Sequence, residues 1–333
     1  MKWIEHWLRD RRQRVCVNGQ LSSWKNVGSG VPQGSVFGPV LFLIFINDID
    51  ADIQSQILKF ADDTKIFRTV ETPDDCSVVQ SDLNLLMQWA EKWQMRFNVG
   101  KCQVMHLGKK NSQIQSEYYM YQQKLKVCEV ERDLGVLMSD DMKVSSQCQH
   151  AYLKANRVLG LIRRNIVNKT PDILVRLYKS LVRPHLEYCV SSWSPHYVKD
   201  KALLEKIQHR FTRILPTLRK LTYEERLQRL GLWSLEERRN RADLIEVFKM
   251  FRGISAVPVS TFFELVTDKR TRGHSFKLHK RHCCTELRRH FFSYRLVDRW
   301  NGLSEDTVSA SSVNQFKARL EMERREKMGL FFD

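Results

Sequence analysis

Asp62 and Asp63 stand side by side in the stretch Leu58-Lys59-Phe60-Ala61-Asp62-Asp63-Thr64-Lys65-Ile66-Phe67. Neighbouring carboxylates repel, and ionising both is costly unless a cation lies between them. Mg²⁺ meets that need, because it takes carboxylate and phosphate oxygens together. A pair of such ions stabilises an in-line displacement at phosphorus. The chemistry these residues could do is therefore phosphoryl transfer. Taken alone, the pair reads more plainly as a polar turn, since Asp is a common turn residue.

Two elements must position the acids. The runs 57–61 and 64–70 are rich in β-formers and predict a tight hairpin with both carboxylates at its tip. Strand alternation puts Leu58 and Phe60 on one face, and Ile66 is expected to continue that apolar pattern after the turn. Upstream, Gly30-Val31-Pro32-Gln33-Gly34-Ser35-Val36-Phe37-Gly38-Pro39 leads into an apolar run over 40–46. Pro32 fixes one backbone angle, and the glycines permit close approach of another chain. A Gly-Ser loop opening an apolar helix leaves backbone N–H groups facing any nearby anion.

In this order and at this spacing, the two stretches resemble motifs B and C of reverse transcriptases from LINE-type (non-LTR) retrotransposons, jockey-like ones in particular. The family patterns read Gly-Val-Pro-Gln-Gly-Ser-x-Leu-Gly-Pro and aromatic-Ala-Asp-Asp; Phe37 stands where leucine is usual. The resemblance implies an RNA-directed DNA polymerase, in which a primer 3′-hydroxyl attacks a deoxynucleoside triphosphate and pyrophosphate leaves. It implies Asp62 and Asp63 as the catalytic carboxylates that hold Mg²⁺, with Mn²⁺ as an alternative. Gln33, Gly34 and Ser35 would line the template and incoming nucleotide. The turn Asn98-Val99-Gly100-Lys101 resembles motif D, so Lys101 would donate a proton or steady negative charge on the departing pyrophosphate. An exposed turn lysine is the equal alternative. The implied partners are an RNA template, a DNA primer and deoxynucleoside triphosphates. The implied location is nucleus or cytoplasm, because LINE-type copying primes on chromosomal DNA.

The rest of the chain fits that frame. Its 333 residues carry a formal charge of +17, which favours a polyanionic partner. The longest apolar run is far too short to span a bilayer, so no membrane partner is expected. The 8 cysteines are scattered and the charged start lacks a signal-peptide run, so reduced thiols are expected. The expected fold class is α+β. A partial polymerase palm, an antiparallel sheet with helices, would occupy 1–140, a helical thumb 141–216, and a basic helical C-terminal region 217–333. Apolar spacing predicts a helix over 74–97 with Ser81 as its N-cap. Asp133-Leu134-Gly135-Val136 resembles the motif E hairpin. Thr170-Pro171-Asp172 opens a helix that Pro184 is expected to end. Arg157, Arg163, Arg164 and their like on later helices would track phosphates without reading bases. Thr222…Glu225 and Ser234…Glu237 have capping-box spacing. Arg299-Trp300-Asn301-Gly302-Leu303 carries the resemblance near the end of the chain.

The family's motif A aspartate and fingers find no counterpart in the first residues. The chain is therefore expected to be N-terminally truncated and inactive alone, unless a fingers-bearing chain complements it in trans. The alternative reading is a nucleic-acid-binding relic of such an element. Asp48, Asp50 and Asp52 are expected to be solvated connections rather than substitute ligands. His279, His282, Cys283, Cys284 and His290 offer zinc-type ligands. Their spacing fits no standard zinc pattern, and Lys280, Arg281, Arg288 and Arg289 make a basic surface the simpler account.

Overall fold

A computed structural model describes residues 2–108, 114–266 and 273–323. Backbone proximity divides the chain into two compact units, Met1–Cys128 and Glu129–Asp333. The first mixes helices with short two-stranded ribbons, and the second is largely helical, so the architecture is α+β.

The first unit packs around Ile46, Ile49, Leu83, Leu86, Met120 and Leu125. Its longest element is the helix Pro73–Lys92. Thr72, not Ser81, is the N-cap: its side chain accepts from the Asp75 N–H, and Asp75 returns the bond to the Thr72 N–H. Pro73 sits in the first turn, where its missing N–H costs nothing. The far end stops at Lys92, short of the expected Phe97. There Gln94 takes a left-handed φ of 55°, and the Met95 N–H donates back to the Ala90 carbonyl at 2.7 Å.

Asp75 accepts from the Glu71 and Thr72 N–H groups at 3.1 and 3.0 Å. These bonds, then the Thr72 hydroxyl, hold its carboxyl down to about 2. A depressed folded-state value adds stability above the unfolded value, and that stability is lost as pH falls through the folded one. Helix content measured by circular dichroism should therefore drop between about pH 4 and pH 2, and Asp75→Asn should remove that part of the acid transition. An identical acid profile in the variant would refute the assignment.

The second unit holds two apolar clusters. One gathers Ala155, Leu159, Tyr178, Trp193, Ile207 and Phe211. The other gathers Val247, Phe248, Val297, Trp300, Phe316 and Leu320. Pro184 does not end its helix. A π-turn over Tyr178–Val182 feeds straight into Arg183–Glu187, so the proline falls in a first turn and needs no donor. The hairpin of Val130–Asp133 with Val136–Ser139 lies in this unit too. It packs on the helix Ser145–Asn165, and the Leu137 N–H donates to Gln147 Oε1 at 2.9 Å. A side chain at Gly135 would be strained: its φ is 86°, and an added Cβ would sit 3.3 Å from the Tyr188 ring.

A buried polar network ties four helices of this unit together. Tyr178 donates to Gln208 Oε1 at 2.8 Å, and Gln208 Nε2 donates to the Tyr223 hydroxyl at 3.0 Å and the Trp233 carbonyl at 2.9 Å. Tyr223 donates to Glu205, which also accepts the Leu235 N–H at 3.0 Å. That places a carboxylate at the N-terminus of the helix Leu235–Phe251, the end its dipole makes positive. Arg239, one turn along, is only 2% exposed.

Candidate functional site

The aspartate hairpin pairs Gln56–Phe60 with Asp63–Phe67, and Phe60 lies opposite Asp63. Ala61 and Asp62 form the two-residue connection, with Ala61 at a left-handed φ of 53°. Both carboxylates are exposed at the tip. The register sets Ile57 opposite Ile66, and these two pack into the core of the unit. Leu58 and Phe60 point the other way and are 58% and 63% exposed. Ile66 therefore does not continue their face. A two-residue turn pairs odd positions of one strand with even positions of the other, which puts Asp63 beside Phe60 on the open face.

Two carboxylates on other segments brace this hairpin, and a third ties the preceding segment to the helix Pro73–Lys92. Asp82 is 1% exposed and accepts the Gln54 and Ser55 N–H groups at 3.0 and 2.9 Å, just before the first strand. Asp50 accepts from Lys59 at 2.9 Å, and that bond lowers its pKa. Lys59 also donates to the Asn47 carbonyl at 3.0 Å. Asp48 accepts from the Trp89 indole at 2.9 Å. Asp48 is exposed and Asp50 half-buried, so both stay in contact with solvent while each also makes a tie within the unit. Asp82 escaped the sequence reading; its one signal was an acid beside Leu83 and Leu86 on the inward side of an amphipathic helix.

The loop before the helix Phe37–Phe45 is a turn closed by the Ser35 N–H on the Pro32 carbonyl at 3.3 Å. Gly34 holds a φ of 82° there. The Ser35 hydroxyl donates to the Pro32 carbonyl at 2.8 Å and accepts the Gly38 N–H at 2.9 Å. A Cβ on Gly38 would lie 2.9 Å from that hydroxyl oxygen. Of the free N–H groups expected at this helix start, that of Gly38 is taken by the Ser35 hydroxyl and Pro39 has none, so the set is smaller than expected. Gln33 and Gly34 are exposed, and Ser35 is half-buried. Phe45 meets the rings of Trp89 and Trp93 at 5.9 and 5.4 Å, so those tryptophans buttress the loop helix. Lys101 is exposed at the end of a short turn between Val99 and Cys102, which both pack on the same core. Loop helix, hairpin and the turn that carries Lys101 thus share one apolar cluster in the first unit.

The second unit presents a cationic face. The helix Ser145–Asn165 buries Cys148, Ala151, Ala155, Leu159 and Ile162 and exposes Lys154, Arg157, Arg163 and Arg164. Among the described residues no carboxylate pairs with any of those four. A groove of about 1050 Å³ elsewhere in this unit is also lined with cations. There, however, Arg295 and Lys201 are neutralised by Asp243 and Glu236 at 2.8 and 2.6 Å. In the His/Cys cluster, His282 Nδ1 lies 3.6 Å from Cys284 Sγ, and His290 pairs with Glu286 while stacking on His196. No three such side chains gather to hold a metal among the described residues.

Residues 1–149 match the family described as reverse transcriptase (RNA-dependent DNA polymerase). The chain is 34% identical over 108 residues to the RNA-directed DNA polymerase from mobile element jockey of Drosophila melanogaster, covering 30% of this chain and 12% of that protein. It is 36% identical over 111 residues to the jockey polymerase of Drosophila funebris, with the same coverage of 30% and 12%. A longer match, 23% identical over 230 residues, joins it to the probable RNA-directed DNA polymerase from transposon X-element of Drosophila melanogaster and covers 64% of this chain. The chain spans only 12–24% of the length of these relatives. The resemblance read from the loop and the hairpin is borne out. No helix among the described residues is long and apolar enough to cross a membrane.

Proposed function

We propose that this chain, whose residues 1–149 belong to the reverse transcriptase family, serves RNA-directed DNA synthesis in a jockey-like non-LTR retroelement. The observation that carries the reading is the exposed Asp62–Asp63 tip on a hairpin that shares one core with the helix following the Gly34-Ser35 loop. Residues 1–140 act as part of the palm, 141–216 as the thumb, and 217–333 as a basic extension. Two hard carboxylate oxygens at a solvent-reachable tip suit Mg²⁺ or Mn²⁺. Such an ion, when bound, neutralises phosphate charge and lowers the barrier to attack by the primer hydroxyl.

The chain's own residues do the remaining work. Ser35 locks the loop by its two hydrogen bonds, so that Gln33 and the bare Gly34 peptide face the template and the incoming nucleotide. Lys101 gives its proton to the departing pyrophosphate. The unpaired cations of the helix Ser145–Asn165 hold the template–primer by its phosphates. Binding without catalysis is a second reading, and that cationic face favours it. The nucleus or cytoplasm is the setting.

Primer extension on an RNA template with Mg²⁺, beside titration with an RNA–DNA hybrid, tests both readings. The 333-residue chain should bind hybrid without extending it, and binding should be unchanged in Asp62→Asn. Extension should appear when a fingers-bearing chain is added. It should then fall at least about 100-fold in Asp62→Asn, because even partners that only orient a metal ligand cost 10–100-fold. Extension that survives Asp62→Asn would sink the role of the dyad. A chain that binds no hybrid would sink the proposal.

A further inference from the structure

We infer that Gly160 marks where the sugar–phosphate backbone of a nucleic acid lies directly against the main chain of the helix Ser145–Asn165, with Arg157 and Arg164 gripping phosphates on either side. The inference rests on the reading that this chain binds nucleic acid, and it deepens that reading to one contact.

Helical phase comes first. The buried face runs through Cys148, Ala151, Ala155, Leu159 and Ile162. Arg157, Gly160 and Arg164 are spaced three and four residues apart, which stacks them in one column on the opposite face. Gly160 thus lies midway between two exposed guanidiniums.

The glycine itself is the second observation. Glycine is the poorest helix former after proline, so its place in a helix interior needs a reason. The fold supplies none. Its φ is not in the left-handed region. An added Cβ would meet no atom of the described residues within 4 Å, so no described neighbour claims the space. What benefits from the missing side chain lies outside the described residues, and a bound ligand fits that place. Glycine commonly serves where a ligand approaches the backbone closely.

The flanking chemistry selects the ligand. Arg157 and Arg164 have no carboxylate partner among the described residues. Seven residues of helix separate them by about 10.5 Å, roughly three nucleotide steps of a duplex. Arginine's planar fork matches phosphate oxygens two at a time. Leu153 and Leu161, 53% and 44% exposed, flank the column with apolar surface for the sugars. A protein helix packed on the same glycine would leave both guanidiniums facing apolar surface, so the polyanion is the better fit.

The test uses the 333-residue chain, an RNA–DNA hybrid duplex and two variants, Gly160→Ala and Gly160→Leu. Both residues are better helix formers than glycine, so each variant should melt about 2 °C higher or more. Hybrid affinity should move the opposite way, at least about fivefold weaker for Gly160→Ala and weaker again for Gly160→Leu, because the added carbons hold the phosphate backbone off the helix. Unchanged affinity with raised melting would overturn the inference and leave nucleic-acid binding standing. Lowered melting would show that the chain itself needs the glycine, which overturns it as well. A wild-type chain that binds no hybrid would fell the broader reading and this contact with it.

Discussion

Glu205→Ala lowers the unfolding free energy of the second unit by about 3–5 kcal/mol, the usual cost of stranding one member of a buried charged group. The reason lies in what faces that carboxylate. Tyr223, Gln208 and the Leu235 N–H all donate to it, and an ionised carboxylate is an acceptor only, so the donor set suits the charged form. The Glu205 pKa is raised, chiefly by burial, with Glu236 adding to the push and the Tyr223 bond, Arg239 and the Leu235 N–H pulling against it. Removing the side chain takes away the largest compensating charge on buried Arg239 and leaves the Tyr223 hydroxyl and the Leu235 N–H without their acceptor. For a unit of this size the melting point should fall by roughly 6–20 °C. Glu205→Gln should cost less, since it keeps the volume and one acceptor. Thermal unfolding at neutral pH checks both variants. A loss below about 1 kcal/mol for Glu205→Ala would mean that the network carries little of the stability assigned to it.

Affinity for an RNA–DNA hybrid falls roughly 100-fold between about 50 and 200 mM salt. The figure follows from the four unpaired cations on the helix Ser145–Asn165. One phosphate neutralised by each gives a slope near −3.6 in log affinity against log salt. Replacing Arg157 and Arg164 together by Ala should flatten that slope by about 2 and weaken binding to all sequences alike. Both side chains are exposed and make no contact that the fold depends on, so melting should not change. Anisotropy titrations at several salt concentrations give the slope directly. A double variant with the wild-type slope would show that the phosphates are held elsewhere.

Much of the site was legible because its signals are local. Asp62-Asp63 between β-rich runs gave the hairpin, and Gly-Ser before an apolar run gave the loop and its helix. Thr222…Glu225 formed the capping box its spacing announced. The failures were failures of long-range information. Leu58, Phe60 and Ile66 are all apolar, and only the turn length and the core beneath decide which of them turns inward. Asp48, Asp50 and Asp82 look like ordinary surface acids until the fold delivers an indole, an ammonium and two backbone N–H groups to them. Pro184 reads as a stop, and only the widened turn before it lets the helix run on. Gly160 looked like nothing at all, because its interest lies in what does not surround it.

The aspartate hairpin is a ribbon of two strands, and among the described residues it pairs with no third. Such a ribbon is barely rigid in water. Here its stiffness comes from Ile57 and Ile66 beneath it and from the Lys59 tether at its side. The distance between the two carboxylate groups is therefore a compliant quantity, able to widen or narrow at small cost. Its open edges offer unpaired N–H and C=O groups to any further strand. If the tip holds a cation as proposed, whatever docks there would tighten it and fix its span, so the size of ion it takes would be set at the rim of the ribbon as well as by the acids.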